Sequence, residues 1–421
     1  MADHNKKQAK SSGEGVRGYM KGLEVVDYRL IISIVFLVMF GLIMVYSASN
    51  AQYGASLLKR QFEIGGLGFI MMLVISYIDY HIYAKFAGAL YVLSVLSLFL
   101  VKVPGIGVTK NGASRWIEIG PISFQPSELV KPAMVILMAY LLTQIGRKMK
   151  KWYADVILIF PGLIAVGLIL FVTKNLSTAL IVLGIVAFMF FIAYPDKEIW
   201  RWIGVVLVVA VVVLLVYYNL VIVREHSLLL SEGTSATSNA DFRSNRILAW
   251  LYPDDYPQAS MQSRYSMYAI GFGGLLGRGL GNGTMKYYLP YAMNDFIFGV
   301  IGEELGLVGC GLVIFLFIYQ VWRVFTVSQH AKDRLGSYMA LGIGIHVALQ
   351  VLLNIGVSTG VLPNTGISLP YISYGGTALL LQLCEMGIVL NISRQIPGRR
   401  IRVGDSSQKQ DRTESKQVHA A

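Results

Sequence analysis

The sequence predicts an all-α polytopic membrane protein with about ten transmembrane helices, and three observations carry that reading. Of 421 residues, 55% are hydrophobic and only 14% charged, against about 25% charged in ordinary soluble domains. Mean hydropathy is +0.58. Long uncharged runs recur, each close to the ~20 residues that a helix needs to cross the hydrocarbon core. A chain of this composition cannot clothe a water-facing surface, so soluble, disordered and nucleic-acid-binding classes are excluded despite the net charge of +12.

The spans fall at about 29–48, 62–78, 82–101, 128–145, 155–173, 176–194, 203–222, 295–320, 337–357 and 374–391. A polar tail over 1–27 precedes them, carrying Lys6, Lys7, Lys10, Arg17 and Lys21. The first span begins too late and runs too long for a cleavable signal peptide, so it serves as an uncleaved anchor. With the N-terminus inside, cytoplasmic segments hold 23 of the 36 basic residues, as the positive-inside rule requires. An even number of spans returns the basic C-terminal tail, 395–421, to the cytoplasm, where both tails face anionic lipid. Residues 28–394 then form one ten-span domain. Cys310 and Cys384 both lie in apolar runs and read as small apolar fillers.

The polar stretch over about 223–294 is the large extracellular loop. Its first part, SEGTSATSNA (231–240), has linker composition, and its second part mixes aromatic, glycine and basic residues. A shorter outer loop, 103–125, has hairpin-like turn chemistry. A Pro- and Gly-rich segment over 358–380 contains Tyr371, Ser373 and Tyr374. Irregular backbone at membrane depth is tolerated only where protein buries it or it lines a cavity, so these residues are expected in a pocket wall.

Ionisable groups inside a membrane are costly, at least about 2.5–3.5 kcal/mol each at mid-bilayer on insertion scales. The eighth span opens on Asn294-Asp295 and carries Glu303 and Glu304, roughly 12–13 Å deeper at helical rise. Glu303 sits about 80° around the helix from Asp295 and Glu304 points roughly opposite, so the pair either serves internal helix-to-helix hydrogen bonding or splits, one glutamate sharing a cavity with Asp295 while the other grips neighbouring helices. Glu128 and Lys131 are i,i+3 neighbours at the head of the fourth span, placed either as a charge-paired helix start or as the lining of an outward polar cavity. Lys174-Asn175 reads as a tight outer turn, and His346 as an interhelical contact.

These polar groups converge on the outer half of the membrane, where no ATP is present, so group transfer there needs an energised donor such as a lipid-linked diphosphate. One interfacial carboxylate can act as general base on a sugar hydroxyl. Arg243, Arg246, Lys131 or a divalent cation, Mg or Mn, are the candidates to steady a diphosphate leaving group; no metal-ligating residues are assigned. The competing class is a transporter or flippase, whose charges would line a path across the membrane.

The strings MVYSASN (44–50), PISFQPSELVKPA (121–133), AIGFGGLLGRGLGNGT (269–284), LPYAMNDFIFGVIGEELGLVG (289–309) and VLPNTGISLPYISYGGTALL (361–380) resemble the FtsW/RodA family, in family order over about residues 25–395. The resemblance implies a ten-span polymerase of the cell membrane that joins lipid II disaccharides into peptidoglycan strands. A class B penicillin-binding protein would be its partner. For such a reaction Asp295 is read as the catalytic base, and Glu128, Lys131, Arg243, Arg246, Glu303 and Ser373 as substrate-binding residues. Asn294 and Asn175-Leu176-Ser177-Thr178 are more similar to the division branch than to the elongation branch, which implies the septum and other division proteins as partners. A lipid II flippase, an elongation-type polymerase and a non-catalytic scaffold are the alternatives. Two positions depart from the family pattern. Leu289-Pro290-Tyr291 stands where the family commonly has LPE, and Thr173-Lys174 replaces Gln-Pro.

Overall fold

The computed structural model describes residues 26–110, 113–119, 122–145, 152–193 and 242–397. Tail residues 1–25 and 398–421, the expected seventh span at 203–222 and the linker-like 231–240 therefore lie outside the described residues.

Helix α1 (Tyr28–Tyr53) starts where the Asp27 carboxylate accepts the N–H groups of Arg29 and Leu30 at 3.2 and 3.4 Å, supplying a partner to donors that every helix start leaves orphaned. Helix α2 (Ser56–Ile75) carries Lys59, Arg60 and Glu63 in its first two turns. The expected third span is built in pieces: α3 (Tyr80–Lys85), α4 (Ala87–Ser97) and a 3₁₀ turn over Leu98–Lys102. Then come α5 (Pro126–Ile145), α6 (Trp152–Leu168) with a π turn over Ile169–Thr173, and α7 (Leu176–Ala193). Two shorter helices, α8 (Phe242–Leu251) and α9 (Pro257–Gly273), precede the last three, α10 (Ile297–His330), α11 (Arg334–Ser358) and α12 (Gly376–Arg394).

Seven of the described helices are long and apolar enough to cross a membrane. With α2 and the α3–α4 pieces, nine of the ten expected spans meet a helix within the described residues. The protein is an all-α polytopic membrane protein with one small addition. The 103–125 loop is a three-stranded antiparallel sheet, β1 (Gly107–Lys110), β2 (Ala113–Ile119) and β3 (Ile122–Phe124). Pairing of Ile117 with both Gly107 and Phe124 leads β3 directly into Pro126 at the head of α5.

The eighth span differs from expectation in a way that positions the site. Helix α10 is broken at Gly306, whose φ is 66°. A break at membrane depth strands backbone polar groups that no water can satisfy. Here the glycine loop after α9 satisfies them. Arg278 and Gly279 donate their N–H groups to the carbonyls of Glu303 and Glu304 at 3.0 and 2.9 Å, while Leu307 and Val308 donate to the carbonyls of Gly274 and Leu275 at 2.9 and 3.1 Å. A side chain at 306 would overlap the Leu275 carbonyl and the Gly277 nitrogen, so glycine is required there by contact as well as by its dihedral angle.

One apolar core runs from Leu30 of α1 to Ile392 of α12. Helix α12 packs along α2, and α11 lies between α10 and α5. Polar residues follow one stripe of α11 at successive i,i+4 positions: His346, Gln350 and Asn354, all buried.

Candidate active site

A cavity opens at the end of the bundle that carries the sheet. Glu128 and Lys131 reach it from α5, Ser177 and Thr178 from α7, Gln350 from α11, and Asn294 and Asp295 from the turn that enters α10. The 366–368 segment and the head of α12 complete its wall.

Lys131 is buried, and its Nζ stands 2.7 Å from Glu128 Oε2 and 3.2 Å from Gln350 Oε1. Gln350 in turn donates through Nε2 to the Ser368 carbonyl at 3.1 Å. The i,i+3 pair read from the sequence is thus formed. Its lysine is held from a second helix as well, so the ammonium has a fixed position rather than a flexible reach.

Asp295 lies half-buried just ahead of α10. Asn354 donates to its backbone carbonyl at 2.8 Å and to that of Ile367 at 2.7 Å, which ties the turn to the 366–368 wall. Burial pushes the Asp295 carboxyl up to about 6, opposed by the cationic fields of Arg246 and Arg115. A carboxylate poised near neutrality suits proton abstraction. Arg246, on α8, donates Nη1 to the Asn364 carbonyl at 3.1 Å; burial lowers its affinity for a proton, against the opposing pull of Asp295. At Gly366, φ is 72°, and an added Cβ would come within 3.4 Å of Asp295 Oδ2 and 3.9 Å of Arg246 Nη1. The missing side chain therefore leaves the carboxylate and the guanidinium facing one space.

Two expected site residues, Glu303 and Ser373, are placed differently. Glu303 does not share the cavity with Asp295. It is fully buried, and its carboxylate accepts the N–H groups of Thr284 and Met285 at 2.7 and 3.0 Å and faces Arg278 Nη1 at 3.2 Å. The loop packed against this part of α10 supplies the donors that hold it. Glu304 also holds the loop, accepting from Gly281 N–H at 3.0 Å and pairing with Lys286 at 2.8 Å, and it receives the Ser47 hydroxyl from α1 at 2.6 Å. Ser373 is buried, and its hydroxyl accepts the Leu369 N–H at 2.7 Å, so it fixes a turn behind the cavity wall. Arg243 falls on α8, and its side chain lies outside the described residues.

Other contributors went unread in the sequence. Gln350 and Asn354 share one face of an apolar helix with His346, and that i,i+4 spacing of amides was the available signal. His346 Nδ1 stands 2.9 Å from Glu385 of α12, the interhelical contact expected of it, with a partner the sequence did not single out. For a divalent cation the donor set does not fit. Of the two carboxylates in the cavity Glu128 is paired with Lys131, and no group of three His, Cys, Asp or Glu side chains converges among the described residues. No step below is routed through a metal.

Known proteins place this arrangement. The cell cycle protein model FTSW_RODA_SPOVE matches residues 28–397. A probable peptidoglycan glycosyltransferase FtsW of Geobacter sp. (strain M18) is 36% identical over 390 residues, 90% of this chain and 100% of the relative. Stage V sporulation protein E of Bacillus subtilis (strain 168) is 35% identical over 376 residues, 87% of this chain and 97% of its own. A chain in the solved structure described as structural coordination of polymerization and crosslinking by a peptidoglycan synthase complex superposes with a TM-score of 0.72 at 27% identity, covering 89% of this chain and 99% of that one. The rod shape determining protein RodA of Thermus thermophilus gives 0.62 at 25% identity, with the same coverage. Matched from the head of α1 to the end of α12, this chain belongs to the FtsW/RodA/SpoVE family.

Proposed function

We propose that the protein is a peptidoglycan glycosyltransferase that joins lipid II disaccharides into glycan strands at the outer face of the cell membrane, for septal synthesis in cell division. The observation that carries the reading is Asp295: a half-buried carboxylate with its proton affinity raised, beside a cavity that also holds a pinned lysine. The 4-hydroxyl of an incoming N-acetylglucosamine gives its proton to Asp295, and its oxygen attacks C1 of N-acetylmuramate on the donor. The C1–oxygen bond to the lipid diphosphate breaks, that oxygen keeps the electron pair, and the α link inverts to β. Lys131 stands where it can balance charge on the substrate.

The relatives' names support the activity, and the peptidoglycan synthase complex supports a class B penicillin-binding protein as partner. Purified protein given labelled lipid II is expected to make polymer. Lipid movement without polymer would favour a flippase, and neither would favour a scaffold.

Lys131→Met is expected to lower polymerisation about 10²-fold or more, the scale for losing one charge-stabilising donor, with the protein still in the membrane. Full activity would return the Glu128–Lys131 pair to the role of a capped helix start. For sidedness, a cysteine at the exposed Gln258, in a chain cleared of Cys310 and Cys384, is expected to react with an impermeant maleimide on intact cells. One at the exposed Lys332 is expected to be protected, and the reverse pattern would invert the assigned orientation.

A further inference from the structure

One helix ties the proposed base and the pinned lysine to the same stretch of wall. Gln350 and Asn354 stand one turn apart on α11, about 6 Å along its axis, and both are buried in a span that is otherwise largely apolar. Asn354 is fully buried, and its amide nitrogen donates to two carbonyls, that of Asp295 at 2.8 Å and that of Ile367 at 2.7 Å. Gln350 accepts from the Lys131 ammonium at 3.2 Å through Oε1 and donates to the Ser368 carbonyl at 3.1 Å through Nε2. Ile367 and Ser368 are successive residues, so the Asp295 turn and Lys131 are each one amide away from the same point.

Packing alone does not call for these amides. A buried amide in an apolar span is unfavourable unless its groups are paired, and Asn354 leaves Oδ1 without a hydrogen-bond partner among the described residues. What its two N–H groups do is join two irregular segments, the turn at Asp295 and the loop at Ile367. A second tie reaches the same turn at Met293, whose carbonyl accepts the Tyr374 N–H at 2.8 Å. Next to Ile367, Gly366 approaches the carboxylate so closely that an added Cβ would lie 3.4 Å from Asp295 Oδ2. A shift of the turn against the wall therefore changes the gap in front of the carboxylate directly.

We infer that Asn354 and Gln350 are positioning residues, which hold the Asp295 base and Lys131 at one fixed separation by tying both to the Ile367 and Ser368 carbonyls. The inference rests on Asp295 as the base. In this role the two amides act through the turn and the lysine, and neither exchanges a proton with substrate. A reaction that needs the acceptor oxygen, C1 and the charge-balancing ammonium in one alignment is sensitive to such a tie, since a displacement of about 1 Å can cost about 10²-fold in rate. Helix α11 suits the task because a packed helix fixes the spacing of its own side chains, whereas the base and the wall both come from irregular backbone.

The test measures polymer synthesis from labelled lipid II by the purified full-length protein, with saturating rate and KM separated. Asn354→Leu is expected to lower the saturating rate about 10²-fold and to leave KM within about threefold of the parent. Asn354→Asp keeps the shape, and a protonated acid can donate to one of the two carbonyls, so its rate is expected to fall between those of parent and Asn354→Leu. Gln350→Leu should also slow the saturated reaction. Combined with Asn354→Leu it should cost less than the product of the single losses, as for residues that serve one geometry. A structural readout runs beside activity. In a chain cleared of Cys310 and Cys384, spin labels on cysteines replacing the exposed Tyr291 and Val361 report the distance between the turn and the wall segment. That distribution should broaden in Asn354→Leu and less so in Asn354→Asp. An unchanged rate would overturn the positioning role, as would a rate loss without broadening. A raised KM at unchanged rate would make Asn354 a substrate contact instead, and losses that multiply in full would overturn the shared tie. A loss that follows a lowered unfolding midpoint and recovers fully on cooling would reduce Asn354 to a residue of the fold. Polymer synthesis by the unsubstituted protein is scored separately. Broadening without polymer from the parent removes the glycosyltransferase reading alone, and parent polymer with an unbroadened distance in the variants removes the positioning role alone.

Discussion

Asp295→Asn protein is expected to fold, insert and bind its lipid substrate, yet to polymerise 10²–10⁴-fold more slowly than its parent, the usual loss for a general base. The competing role for an acid at this place is stabilisation of the start of α10 by the helix dipole, worth about 0.3–1 kcal/mol. The substitution separates the two because asparagine keeps the shape and one acceptor oxygen but cannot take a proton. A charge serving the dipole would cost a little stability and leave turnover nearly intact. Activity should also follow the ionisation of this group. With the carboxyl pushed up to about 6 by burial, the rate is expected to rise with pH through that region and to level off above it, since the basic form is the unprotonated one. The pH dependence should vanish from whatever activity Asp295→Asn retains. Polymer from purified Asp295→Asn protein at a tenth or more of the parent rate would remove the base assignment.

The fold was legible because its signals are local. An apolar run of membrane length needs no knowledge of the rest of the chain, and α1, α5, α7 and α11 fall within a few residues of where those runs put them. Asp295 and the Glu128–Lys131 pair were legible for the same reason, each standing at the head of its own span. What the sequence hid depends on a break in helical phase. The 80° offset between Asp295 and Glu303 assumed a helix running through both, whereas Asp295 sits in the turn ahead of Ile297. The wall formed by Thr365 and Gly366 and the approach of Arg115 from the sheet also stayed hidden, because the contacts that place them span more than 50 residues of sequence. Ser373 illustrates the limit from the other direction. Its segment does wall the cavity through Tyr374 and Gly375, but the serine hydroxyl turns back onto Leu369.

Glu303→Gln is expected to damage stability rather than substrate affinity, and the contrast with Asp295→Asn follows from where each carboxylate points. Glu303 is fully buried and accepts the backbone N–H groups of Thr284 and Met285 and the Thr284 hydroxyl, with Arg278 alongside. Glutamine keeps one acceptor oxygen and places an amide donor against those donors, so at least one buried N–H loses its partner at a cost of about 1–3 kcal/mol. The loss falls on the loop whose backbone repairs the break in α10, and loosening it exposes the unpaired groups of the helix as well. The expected result is a lower unfolding midpoint in detergent and new proteolytic cleavage within 274–286, while Asp295→Asn shows neither. Catalysis should fall too, through displacement of the 285–295 segment that leads into Asp295, and the loss should be relieved by lower temperature as the loop re-forms. A Glu303→Gln protein with unchanged melting and cleavage but a raised KM for lipid II would instead place Glu303 in contact with substrate. A carboxylate already facing two backbone donors, a hydroxyl and a guanidinium has little accepting capacity left for a sugar, which is why stability is the quantity expected to move.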